Sequence, residues 1–74
     1  MRLGENQKAV LELLEKEGVV ENLGNTYRNF AKSAKQTTNA TILNFVEKVK
    51  VKYPEATLTI GPKGGLGTAT LRIR

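Results

Sequence analysis

A chain of 74 residues, 39% hydrophobic and 26% charged, has the make-up of one small soluble domain with a compact core. It contains no cysteine and no histidine, and all its acids are glutamates, which excludes a disulfide framework, thiolate zinc sites and imidazole-dependent triads. General acid–base work would fall to Glu, Lys or Tyr, and no glutamate pair is spaced as a catalytic dyad, so the chain reads as a non-enzyme without metal or cofactor. The net charge of +5 is polarised. The first 24 residues carry three basic groups and five glutamates, a net of −2. Residues 25–74 carry nine basic groups with only Glu47 and Glu55, a net of +7. A positive face on a small acidic base is the electrostatic footprint of a nucleic-acid binder, although an acidic protein or anionic lipid would also match it.

The opening Met-Arg-Leu-Gly-Glu-Asn has no signal-type apolar stretch, and no run approaches the ~20 residues that span a bilayer, so the expected location is the cytoplasm or nucleoid. Residues 6–17 form an amphipathic pattern, with Ala9, Val10, Leu13 and Leu14 on one face and Glu12, Glu15 and Lys16 on the other. Gly18 stands as its stop. Leu11 falls off the main stripe, as a partner contact or a scattered surface residue. Val19 and Val20 suggest a brief strand. Gly24 reads as a break, with Asn25 or Thr26 capping a second helix that ends near Gln36 and turns Tyr27, Phe30, Ala31 and Ala34 inward. A third helix over 39–52 follows the cap at Thr37-Thr38, buries Ile42, Phe45, Val46 and Val49, and is ended by Pro54. From residue 57 the period becomes two. Leu58 and Ile60, then Ala69, Leu71 and Ile73, alternate with polar residues around the loop Gly61–Gly67, giving a hairpin with a flexible, glycine-rich tip.

The order is helix, helix, threonine turn, helix, hairpin. Residues 30–46, FAKSAKQTTNATILNFV, resemble the helix-turn-helix core of bacterial and archaeal transcription regulators. Ala31 stands as the small residue of helix two, Thr38 as the cap, and Ala40-Thr41-Ile42 as the opening of the recognition helix. The hairpin at 57–73 is similar to the wing of a winged helix-turn-helix domain. The turn Lys35-Gln36-Thr37 departs from the family in lacking glycine and in being a residue longer. The resemblance implies an α+β fold, a three-helix bundle with a C-terminal β-hairpin wing, in a single domain over 1–74. It also implies a transcriptional regulator of duplex DNA.

Physical logic supplies the candidate contacts. A helix in the major groove reads bases from the side opposite its core stripe, here Asn39, Thr41, Asn44, Lys48 and Leu43. Asparagine pairs with adenine, while Thr and Leu meet thymine methyls, so A·T-containing sites are favoured. Alternatively, Asn39 helps to cap and Asn44 is solvated. Thr37 and Thr38 suit a phosphate or a cap. Arg28, Lys32 and Lys35 flank the groove, Lys63 sits on the wing tip, and Arg72 lies on the wing's polar face. KGGLGT at 63–68 lacks the order of a Walker loop.

The expected partner is double-stranded DNA, bound by a homodimer across a palindrome, with the first helix as dimer surface. The alternative is a protein-interaction module, or a subunit in replication or partition machinery, that uses the acidic first helix with Leu11 and Leu14. RNA is the third option, weakened because three of the four aromatics have core positions.

Overall fold

The computed structural model describes residues 4–31, 38–62 and 64–74. In chain order these form α1 (Glu5–Glu17), β1 (Val19–Val20), α2 (Leu23–Phe30), α3 (Asn39–Lys52), β2 (Thr57–Thr59) and β3 (Thr70–Arg72), an α+β arrangement of three helices and one antiparallel sheet. The sheet order is β1-β3-β2, so the last strand lies in the middle and β1 closes onto the hairpin from its far side. Val20 and Leu58 both pair with Leu71, and Val19 and Thr57 both pair with Arg72. Leu71 therefore faces the core and Arg72 faces solvent, as alternation across a strand requires.

α1 stops where Gly18 takes the left-handed conformation, φ 80°, with its N–H on the Leu14 carbonyl at 2.6 Å. That conformation suits glycine, and a Cβ here would also come within 2.9 Å of the Arg74 side chain. α3 runs over the predicted 39–52 and ends before Tyr53-Pro54. The core gathers Val10, Leu11 and Leu14 from α1, Leu23 and Tyr27 from α2, and Ile42, Phe45, Val46 and Val49 from α3. Val20, Ala56, Leu66, Ala69 and Leu71 close it from the sheet side. The Tyr27 and Phe45 rings meet at 5.8 Å and 59°, a tilted aromatic pair.

Several expectations need correction. Leu11 is buried at 6% exposure, which makes it core rather than a surface residue. Phe30 and Ile60, expected inward, are exposed. The second helix starts at Leu23 instead of near Asn25 and ends at Phe30, with Ala31 extended (ψ 141°). Gly24 is no break but a buried residue of its first turn.

The reason lies far along the chain. Asn22, left-handed at φ 52°, gives α2 no side-chain cap. Instead the Leu23 N–H donates to the Ala69 carbonyl at 2.8 Å, Gly24 to Leu66 at 2.8 Å and Asn25 to Gly67 at 3.4 Å. The hairpin loop thus satisfies the orphan donors of the helix start. The approach is so close that a Cβ on Gly24 would lie 2.7 Å from the Gly67 Cα and 2.8 Å from the Leu66 carbonyl oxygen. Both are backbone atoms with no rotamer to give way. Gly24→Ala is expected to destabilise the fold by about 1–3 kcal/mol, the range for forcing extra atoms into a packed seam, despite alanine's better helix propensity. Urea denaturation of the two proteins measures it, and an unchanged or raised midpoint would contradict the seam.

Candidate nucleic-acid interface

α3 is held by its inward stripe, and its first turn is built by Thr38. The Thr38 hydroxyl oxygen accepts the Thr41 N–H at 3.2 Å, and the two hydroxyls lie 2.8 Å apart. Thr38 therefore acts as the N-cap, and the half-buried Thr41 hydroxyl is occupied by it. Asn39, Ala40, Leu43 and Asn44 are exposed, as a reading surface requires.

Lys48 is not on that surface. It is half-buried, and its Nζ donates to the Gln7 Oε1 of α1 at 3.2 Å. Gln7 is the one buried polar side chain among the described residues, and its Oε1 also accepts the Gly4 N–H at 3.3 Å. Burial pushes the Tyr27 phenol up, and a hydrogen bond with Gln7 works against that shift. The sequence reading passed over Gln7, although it stands on the α1 stripe one turn before Val10 and Leu11. A polar residue on a core stripe was the available signal.

At 100° per residue, Leu43, Asn44, Glu47 and Val51, with Ala40, share the side of α3 turned from the core, whereas Thr41, Lys48 and Lys52 follow the flank toward α1. Glu47 and Val51 are exposed, Val51 at 75%. The face is more apolar than expected, and its lysine at 48 is replaced by a glutamate at 47.

On the α1 flank the Glu15 carboxylate accepts hydrogen bonds from the Tyr53 hydroxyl and from Lys52 Nζ, the latter at 2.9 Å. Lys52 also lies 5.6 Å from the centre of the Tyr53 ring, and Arg74 donates to the Glu15 backbone carbonyl at 3.2 Å. The Tyr53 hydrogen bond, then Lys52, holds the Glu15 carboxyl below its ordinary value; the same contacts raise Tyr53 and Lys52. A small hollow lined by Lys52, Tyr53, Pro54, Glu55 and Ile73 adjoins this cluster, at the opposite end of α3 from Asn39.

The hairpin differs from a free flexible tip. Leu66 and Ala69 are buried, so the loop's second half folds back onto α2. Gly64, in the loop's first half, is exposed. Its N–H donates to the Gly61 carbonyl at 2.9 Å, and no atom lies within 4 Å of where a Cβ would be. Arg72 is exposed on the sheet's solvent side, but it pairs with Thr57 at the strand ends away from that turn, so it belongs to the hairpin's base. Arg28 is exposed in the last turn of α2. Lys32, Lys35, Thr37 and Lys63 lie outside the described residues. The structure thus groups Thr38, Asn39, Leu43 and Asn44 at one end of α3, and separates Lys48 and Arg72 from them.

The chain matches no family model, and comparison with curated proteins and with solved structures finds no match. Among the described residues, no helix is long and apolar enough to cross a membrane.

Two outcomes are expected from this geometry. Thr38→Ala removes the N-cap and costs about 1 kcal/mol in denaturant titration. Because the folded carboxyl of Glu15 has the lower pKa, its contribution to stability is present above the ordinary carboxylate range and is lost as pH falls below roughly 5. Glu15→Gln should therefore show a shallower fall of melting temperature between neutral and acid pH than the parent. A parallel fall in both proteins would count against the pairing.

Proposed function

We propose that the chain is a duplex DNA-binding protein of winged helix-turn-helix type, a small transcriptional regulator that sets α3 in the major groove and brings the β2–β3 hairpin to the backbone or minor groove. The observation that carries this reading is the solvent side of α3, where Leu43 and Asn44 stand exposed, with Asn39 exposed at its start, while Ile42, Phe45 and Val46 anchor the helix to the core. A groove about 12 Å wide admits one such helix, and asparagine amides match adenine edges there. The element order supports it, since a two-residue β1 pairs with the last strand and the hairpin follows α3 directly. The charge split adds the attraction, with nine basic groups against two glutamates after residue 24.

With Lys48 held by Gln7, the phosphate contacts proposed are Arg28, Lys32, Lys35 and Lys63, with the Thr38 end of α3. A homodimer would extend the site across a palindrome. Its contact surface is not the apolar side of α1, since Val10, Leu11 and Leu14 are all core. The same burial removes Leu11 and Leu14 from the alternative role as a replication or partition module. One observation keeps a protein-interaction reading in play: Leu43 and Val51 are exposed on the same helix face.

Four phosphate contacts give a log–log dependence of affinity on salt with a slope of roughly −4. Anisotropy titration of mixed-sequence duplex measures it, and a slope near zero contradicts DNA binding. Asn44→Ala is expected to reduce discrimination between sites selected from a random pool by about 1–3 kcal/mol, whereas Arg28→Ala weakens all sites alike. Equal behaviour of the two variants would count against a reading helix.

A further inference from the structure

The DNA-binding reading leaves open what a helix face with so little positive charge would recognise. Ala40, Leu43, Asn44, Glu47 and Val51 share the exposed side of α3, and Leu43 and Val51 are 46% and 75% exposed. Two of the three lysines of α3 are turned toward α1, with Lys48 bound to Gln7 and Lys52 to Glu15. α3 has no arginine, and Lys50 is exposed at the edge of the face, two turns beyond Leu43. The group that most often selects guanine, a bidentate Arg or Lys on O6 and N7, is missing from its centre. Glu47 occupies that centre. A carboxylate laid along the sugar–phosphate backbone meets like charge, so this face fits the groove floor, where adenine N6 and cytosine N4 amino groups donate. On the same floor the apolar groups available to Leu43, Ala40 and Val51 are the C5 methyls of pyrimidines. Leu43 and Val51 are eight residues apart, on the order of 12 Å along the axis, which spans several base steps.

Resting on the DNA-binding reading above, we infer that α3 selects duplexes by pyrimidine C5 methyl groups, with Asn44 and Glu47 pairing to the amino-bearing edges beside them, and passes over guanine. Thymine is the ordinary source of that methyl and 5-methylcytosine the modified one. The chemistry at the protein is the same for both.

The test is anisotropy titration of the full chain at one salt concentration against four duplexes: alternating A·T, the same duplex with uracil for thymine, alternating G·C, and its 5-methylcytosine form. Each methyl taken out of water contributes about fourfold in Kd, the ~0.8 kcal/mol of one buried carbon group. The thymine duplex should therefore bind at least about fourfold tighter than its uracil counterpart. An advantage shared by 5-methylcytosine over cytosine assigns the reading to the methyl on either pyrimidine; one confined to thymine assigns it to the methyl beside adenine, with thymine as its source. Leu43→Gln, an exposed change to another good helix former, should bring thymine affinity down toward the uracil value. Equal Kd for the thymine and uracil duplexes, with both bound, overturns the methyl inference and leaves DNA binding standing. Absence of binding to any duplex overturns both. Loss of self-association in sedimentation of Leu43→Gln, with the thymine-to-uracil ratio unchanged, gives the face to a protein contact and likewise overturns the inference.

Discussion

Backbone hydrogen bonding between the start of α2 and the loop of the hairpin is the constraint on which this fold depends. α2 has eight residues, fewer than an isolated helix needs to persist in water. Its N-cap contributes no side-chain bond, and three of its first N–H groups are satisfied by carbonyls of Leu66, Gly67 and Ala69. Such bonds individually contribute on the order of 1 kcal/mol. Their larger effect is geometric. They set the hairpin against the helical layer, carry Leu66 and Ala69 into the core, and so place the strand whose Leu71 receives Val20 on one side and Leu58 on the other. Gly24 is the residue that lets the two backbones meet.

The polarised charge has two uses within this frame. Three of the nine basic groups after residue 24 turn back toward α1, with Lys48 on Gln7 and Lys52 and Arg74 on Glu15. The acidic helix is therefore a counter-surface that fixes one flank of α3, and the positive charge free to meet a polyanion is smaller than the sequence total. Fixing that flank also decides which side of α3 remains open. The open side carries Glu47 near its centre and Lys50 only at its edge, so attraction and selection are separated: the surrounding cations would supply the first and the middle of the face the second.

Periodicity carried the parts of the fold set by local spacing. Gly18, Thr38 and Pro54 marked helix ends, because each acts through its own φ or its own side chain. The inward residues of α3, and Ala69 and Leu71 of the hairpin, followed from periods of 3.6 and 2. What failed was non-local. The true start of α2 is fixed by carbonyls more than forty residues away, so capping rules applied to Asn25 and Thr26 had nothing to detect. Leu11 looked peripheral because a helix packed against both α2 and the sheet buries a wider arc than one stripe. At the candidate site, the exposure of Asn39, Leu43 and Asn44 was legible from phase alone. Lys48 was not, since its place depends on a glutamine on another helix and phase alone leaves a flank residue free to turn either way.

The dependence of α2 on the hairpin also orders events in time. A ribosome releases α1, β1 and α2 before any of the residues that complete them. Until 66–69 emerge, the first turn of α2 has its donors on water and Val20 has no Leu71 to pair with. Completing the N-terminal elements therefore depends on contacts of high sequence separation, the kind that slow folding. A truncation that removes β3 would take the lid from the second helix as well as a strand from the sheet.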